Sequence, residues 1–219
     1  YNYHSDINKS ELSLIEVRSH IWRDVIFVNP DGRAKPFEEV HKHLLDRWST
    51  FDQSMYSDMS DSSFNLEVKT NWKLAVENYL ESYHLPWIHP GLNSYSKLED
   101  HENIVKYGHY SGQISNKYIP KYSTGKQFQN FKNLSSEWDS KGEYIVLFPN
   151  LILGVQKDHV FNLIIEPIGC DQIKEHVEIY YSDPSMLSDE FQQTRLENTK
   201  LWRTVFEAVS YTHLTLPTS

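Results

Sequence analysis

Residues 12–29 (LSLIEVRSHIWRDVIFVN) alternate between apolar and polar positions and are rich in β-branched and aromatic side chains. They read as two strands closed by the turn Asn29-Pro30-Asp31-Gly32. Residues 37–50 carry Phe37, Val40, Leu44 and Trp48 at helical spacing. A Ser/Asp-rich loop over 52–63 leads into an alternating strand over 64–70. Residues 71–84 predict a helix, with Trp72, Val76, Tyr79 and Tyr83 forming its apolar face. Glu77, Glu81 and His84 fall on the adjacent face. Pro86 lacks a helical N–H and clashes with the preceding turn, so this helix is expected to end near His84 or Leu85. From about residue 104 the pattern is that of antiparallel strands: 104–110, 112–119, 143–148, 151–156, 159–167 and 172–182. Turn signals stand at Phe148-Pro149-Asn150 and Gly169-Cys170-Asp171, and the polar, Ser/Lys-rich stretch 121–142 reads as a loop or lid. Ser188 or Asp189 is placed to N-cap a last helix over 189–207. The expected class is α+β, an antiparallel sheet with helices.

The 219 residues suffice for one substantial core with a small appendage. Fourteen Tyr, ten Phe and six Trp are many for this length; they fill a sheet core or line a cavity, and the pattern leaves both open. A formal charge of −9 without a Lys/Arg cluster argues against nucleic acid and anionic membrane as partners. No apolar run approaches the ~18 residues of a membrane span. A lone cysteine, Cys170, permits no intrachain disulfide and fits a reducing compartment, with the cytoplasm as the expected location. The chain opens on Tyr1-Asn2-Tyr3 without a Met or a signal peptide, and residues 209–219 break the helical pattern abruptly. These features read as a fragment with a non-native tail over 209–219.

The candidate chemistry lies in Glu77-Asn78-Tyr79-Leu80-Glu81-Ser82-Tyr83-His84-Leu85-Pro86-Trp87-Ile88-His89-Pro90. Residues five apart on a continuous helix sit roughly 140° apart in azimuth, too far to share one ion. A break at Pro86 lets His84 project from the helix end while His89 returns on the next turn. Two His with a carboxylate and open positions suit non-haem Fe(II) and oxygen chemistry, and imidazole also suits Zn, Cu or Ni. Glu81, three residues before His84, is positioned to accept the outward ring N–H and fix its tautomer. The competing readings are a solvated or capped His pair and a solvated acidic helix face. No G-x-S-x-G, P-loop or G-x-G-x-x-G occurs. His41 and His43 face different ways on their helix, and His101, His109, His159 and His176 have no metal-ligand spacing.

The run Asn71 to His84, followed by His89-Pro90, resembles the catalytic-domain signature of Rieske-type non-haem iron oxygenase α subunits (aromatic-ring-hydroxylating dioxygenases). The resemblance extends over residues 11–207: Val25-Ile26-Phe27-Val28-Asn29 is similar to the last strand leaving that family's Rieske domain. Phe148-Pro149-Asn150 and the strands to Tyr181 are similar to its helix-grip (START/SRPBCC-like) sheet. It implies a remnant of the Rieske domain over 1–35, a mononuclear iron domain over 36–208 and a foreign tail over 209–219. It implies that His84 and His89 bind Fe(II). Glu81 matches the acid that links this iron to the [2Fe-2S] cluster of a neighbouring subunit in a homotrimer. Glu rather than Asp there resembles members acting on quaternary amines. Asn78 matches a polar residue near the iron, and a residue bonded within its own helix is the competing reading. The implied reaction is O2-dependent hydroxylation or demethylation of a small organic substrate, with electrons from NAD(P)H through a reductase or ferredoxin.

Two departures stand out. A Rieske cluster needs C-x-H and C-x2-H pairs, which one cysteine cannot supply. The family's third iron ligand is an Asp in the last helix, yet no Asp follows Asp189 and Glu207 is a poor substitute. Truncation at both ends is the expected explanation, with weak iron binding and no turnover by these 219 residues alone. The alternative from another class is a non-enzymatic helix-grip binder of a hydrophobic small molecule. A zinc hydrolase would want a third strong ligand and a general base.

Overall fold

The computed structural model describes residues 14–88, 90–93, 96–106 and 110–207. The chain forms two compact units, Tyr1–Leu45 and Asp46–Ser219. In the first, β1 (Arg18–Trp22) and β2 (Val25–Asn29) pair antiparallel. Their two-residue turn holds Arg23 and Asp24 at φ 50° and 63°, the left-handed pair that matches strand twist in a tight hairpin. One face of the hairpin gathers His20, Trp22 and Phe27 around Phe37, with ring centroids 4.2, 5.7 and 4.7 Å away. The opposite face leaves Ile21, Ile26 and Val28 exposed. The helix expected over 37–50 is broken into α1 (Phe37–Val40), α2 (Lys42–Arg47) and a 3-10 turn at Ser49–Phe51. The break falls at His41, whose φ/ψ of −101°/11° leaves the helical region while its carbonyl accepts the Leu44 and Leu45 N–H groups of the next turn.

The second unit is built on seven strands. They are β3 (Ser63–Val68), β4 (His101–Lys106), β5 (Tyr110–Ser115), β6 (Gly142–Leu147), β7 (Leu151–Gln156), β8 (His159–Pro167) and β9 (Ile173–Tyr181). Their order is β3-β9-β8-β7-β6-β5-β4, antiparallel throughout. β6 and β7 are buried at every position because both faces of the sheet centre are covered. On one face lie α3 (Trp72–Leu80), packed on β5, β6 and β8, and α6 (Gln192–Glu207), packed on β3. On the other, Glu143 of β6 accepts the Trp48 indole N–H at 2.8 Å and a two-pronged Arg47 guanidinium at 2.8 and 2.9 Å. Burial would raise the Glu143 carboxyl, but Arg47, Trp48 and Lys141 outweigh it and hold the group below its ordinary value. β5 and β6 approach so closely at Gly112 that a Cβ there would collide with the Tyr144 carbonyl oxygen.

The stretch 121–142 is irregular, as expected of a loop, apart from a 3-10 turn at Ser136–Asp139 and the start of β6, but it is packed down rather than open. Tyr122, Phe128, Phe131 and Trp138 are buried, with Phe128 4.5 Å from Tyr181 between centroids and Trp138 4.6 Å from Phe51. Its aromatics fall at irregular spacing, so no periodicity announced their burial. The last helix begins at Gln192 after a 3-10 turn at Asp189–Phe191. The Ser188 side chain makes no capping bond there. Arg195, 2% exposed, ties that end down through the Met186 and Ser188 carbonyls and the Asp61 carboxylate. Among the described residues no helix is long and apolar enough to cross a membrane.

Candidate metal centre and cavity

α3 starts where the Asn71 side chain accepts the Lys73 N–H at 3.0 Å, an N-cap bond that satisfies one orphan donor. It buries Ala75, Val76 and Asn78 and stops at Leu80, four residues earlier than the pattern predicts. Glu81 is extended, at φ −118° and ψ 158°. Its carboxylate accepts the His84 backbone N–H at 3.2 Å and also engages Nδ1 of the His84 ring. A side chain that binds the backbone locally competes with helix propagation, and here it wins. Pro86 therefore does not terminate α3. It sits in the first turn of α4 (Leu85–Ile88), where no N–H is required of it, and α5 (Pro90–Asn93) follows.

The helix end is also held from the sheet. Gln113 of β5 donates from Nε2 to the Tyr79 carbonyl at 2.9 Å and the Glu81 carbonyl at 3.4 Å. These are acceptors that the helix leaves unfilled. Its Oε1 then accepts from His101 Nδ1 at 2.7 Å, so the remaining His101 nitrogen takes the Ser96 hydroxyl at 2.9 Å. Ser96 in turn meets Ser115 at 2.6 Å. Burial holds the His101 imidazole below its ordinary value against the pull of Gln113.

A cavity of about 560 Å³, its open mouth included, lies between α3, α6 and the β5–β6 strands. Its polar side carries Asn78, Glu81, His84, His101 and Gln113. Its apolar side carries Tyr79, Tyr144, Trp202, Val205 and Phe206. The Tyr79 hydroxyl donates to the Leu153 carbonyl at 3.2 Å, and burial pushes its pKa well up. Asn78 is 6% exposed and makes no side-chain hydrogen bond among the described residues, so its amide is available to the cavity rather than spent within the helix.

Of the sequence-expected residues, Asn78, Glu81 and His84 come together on this cavity; His89 lies outside the described residues. Because Glu81 engages Nδ1, a metal on His84 would take Nε2. Glu77 does not line the cavity. Glu207 does not either; its side chain is 47% exposed and lies 3.5 Å from Arg203. Among the described residues no group of three His, Cys, Asp or Glu is placed to hold a metal ion. His101, Gln113 and Trp202 were missed by motif reasoning: they come from β4, β5 and α6, and only the strand order brings them to α3.

A family model described as "Ring hydroxylating alpha subunit (catalytic domain)" matches residues 55–210. The carnitine monooxygenase oxygenase subunit of Acinetobacter pittii is 23% identical, over 84% of this chain and 48% of its own length. The chloroplastic choline monooxygenase of Amaranthus tricolor is 25% identical, over 82% of this chain and 39% of its own. The chain thus spans about half the length, or less, of these curated relatives. Among solved structures, a quaternary ammonium Rieske monooxygenase superposes with a TM-score of 0.71 at 16% identity, covering 98% of this chain and 56% of that one. Naphthalene 1,2-dioxygenase from Rhodococcus sp. gives 0.62 at 16% identity, covering 95% and 58%. At such identities the likeness is one of fold, the antiparallel α+β architecture expected from the sequence.

Proposed function

We propose that this chain, which belongs to the family of ring-hydroxylating α-subunit catalytic domains, serves as the mononuclear iron module of an oxygenase acting on a quaternary ammonium compound. The observation that carries the reading is the Glu81 carboxylate on Nδ1 of a His84 that lines an aromatic-walled cavity. A carboxylate behind a histidine fixes the tautomer and raises the basicity of the opposite nitrogen, as metal sites require. His84, together with His89, is assigned to Fe(II); the third ligand is not assigned among the described residues. When bound, the iron would supply O2-dependent hydroxylation or demethylation, with electrons from NAD(P)H through a reductase and a [2Fe-2S] centre.

The chain's own residues do the rest. Glu81 holds the His84 ring and backbone together, and Gln113 pins the carbonyls behind it. The aromatic side excludes water and offers π faces to a cation, and asks for no carboxylate partner. Asn78 offers the cavity an amide for orienting a polar group. Support for the substrate class comes from the named activities of the carnitine and choline monooxygenases and from Glu at position 81. Exposed Tyr83 and Trp87, 70% and 83% accessible beside the pair in sequence, suit contact with a neighbouring α subunit in a homotrimer. The exposed Ile21, Ile26 and Val28 face suits a hairpin that belongs to a Rieske domain over 1–35, with the iron domain over 36–208. Residence in a reducing compartment is part of this reading.

The test uses the complete α subunit with its reductase. A quaternary amine such as carnitine is expected to stimulate O2 uptake and NAD(P)H oxidation, and naphthalene is not. Stimulation by aromatics alone would overturn the substrate class. No stimulation by any organic compound after iron loading would favour the helix-grip binder, whose ligand affinity would survive His84→Ala and His89→Ala together.

A further inference from the structure

Behind the apolar side of the cavity lies a polar relay unrelated to the histidine pair. The Trp202 indole N–H donates to His159 Nε2 at 3.0 Å, and His159 Nδ1 meets Asp158 Oδ1 at 2.6 Å. All three are buried, at 3%, 0% and 3% exposure. An indole nitrogen only donates, so His159 Nε2 must be the acceptor and the ring proton must sit on Nδ1, directed at the carboxylate. The tautomer is therefore assigned by chemistry rather than by packing. Asp158 stands in the two-residue turn between β7 and β8, and His159 opens β8. The relay thus ties a helix residue of the cavity wall to a sheet corner.

Trp202 is the centre of that wall. Its ring centroid lies 4.5 Å from Phe161, 5.8 Å from Tyr118 and 5.9 Å from both Tyr144 and Phe206. Aromatic packing alone tolerates sliding and rotation between near-equivalent offsets. A directional N–H···N bond does not, since turning the ring would strand a buried donor. A leucine at 159 would fill comparable space without requiring a buried carboxylate, which is costly unless paired. We propose that Asp158 and His159 are positioning residues that lock the Trp202 ring as a fixed wall of the cavity and thereby set its fit to the ligand. The ligand arm of the test rests on the quaternary ammonium reading; the positioning claim does not.

The experiment uses the 219-residue chain. The Trp202 indole resonance is identified by its loss in Trp202→Phe, and its hydrogen exchange is followed with the ¹⁵N shifts of the His159 ring. In the parent chain the indole proton is expected to exchange slowly, with Nε2 unprotonated. In Asp158→Asn the amide can donate to Nδ1, which drives the ring proton to Nε2 against the indole; faster exchange by about tenfold or more is expected. Unchanged exchange and an unchanged tautomer would overturn the proposal. In binding titrations with choline, Trp202→Phe is expected to weaken affinity by about two- to thirtyfold. Asp158→Asn should do likewise, with the double variant no worse than either single, because both act through one ring. Additive losses would contradict positioning. If the parent chain binds choline no better than its neutral tert-butyl isostere, the substrate reading fails, and the exchange and tautomer data still decide the proposal. Should Asp158→Asn not fold, His159→Gln against His159→Leu replaces it: Gln retains an acceptor and should keep the indole protected, whereas equal protection in both would overturn the claim.

Discussion

α6 runs from Gln192 to Glu207 without a break, whereas α3 stops at Leu80 and the chain beyond it turns through Glu81 into two single-turn helices. Both helices line the cavity, but α6 gives it only Trp202, Val205 and Phe206, while α3 and its exit give it Asn78, Glu81 and His84 beside Tyr79 and Leu85. The regular helix supplies apolar surface alone, and the interrupted one adds the polar groups to it. The difference has a physical basis: beyond Leu80 the backbone is no longer committed to helical bonds, so Glu81 can turn its carboxylate onto the His84 N–H and ring, while Asn78 reaches the cavity from the last turn of α3. The α3 exit then needs outside support, and Gln113 provides it from β5.

If that division holds, damage to the framework is read as lost stability and damage at the exit as lost binding. Phe161→Ala, in the 1%-exposed centre of the framework, is expected to cost about 3–5 kcal/mol in denaturant unfolding. Glu175 probes the same framework through pH. It is 3% exposed on β9, its Oε2 has no hydrogen-bond partner among the described residues, and burial pushes its carboxyl from 4.5 up to about 8. The folded state thus keeps a proton that the unfolded chain releases above pH 4.5, so stability is full below that and falls as pH rises towards about 8. Glu175→Gln should flatten this slope and leave the variant more stable by about 2–4 kcal/mol at pH 8, measured by urea unfolding across pH. A slope unchanged in the variant would mean that the carboxyl is paired. Gln113→Leu tests the joint between the two regions. It strands the Tyr79 carbonyl and the His101 donor, with an expected loss of about 1–3 kcal/mol and faster amide exchange confined to 81–88. Tyr79→Phe removes only the bond to the Leu153 carbonyl and should cost about 1 kcal/mol.

The two regions were also unequally legible in the sequence. β7 and β8 coincide with the expected strands 151–156 and 159–167, and the last helix deviates only at its first turn, because apolar periodicity follows directly from burial. At the α3 exit periodicity misled: Tyr83 continues the apolar face on paper but is 70% exposed, because Glu81 diverts the chain first. The Glu81–His84 contact was foreseen from spacing, though it arises from a local turn rather than a shared helix face. His101 and Gln113 carried no signal at all, since their partners are set by a strand order that no local pattern encodes.

The most direct measurement is an anaerobic Co(II) titration of the 219-residue chain, with Co(II) as a coloured stand-in for Fe(II), against His84→Ala and Glu81→Gln. The expected result is weak binding that His84→Ala abolishes and Glu81→Gln reduces about 10–100-fold, with unfolding stability little changed in either. Co(II) affinity and spectrum indifferent to both substitutions would contradict the assignment of the α3 exit as a metal centre.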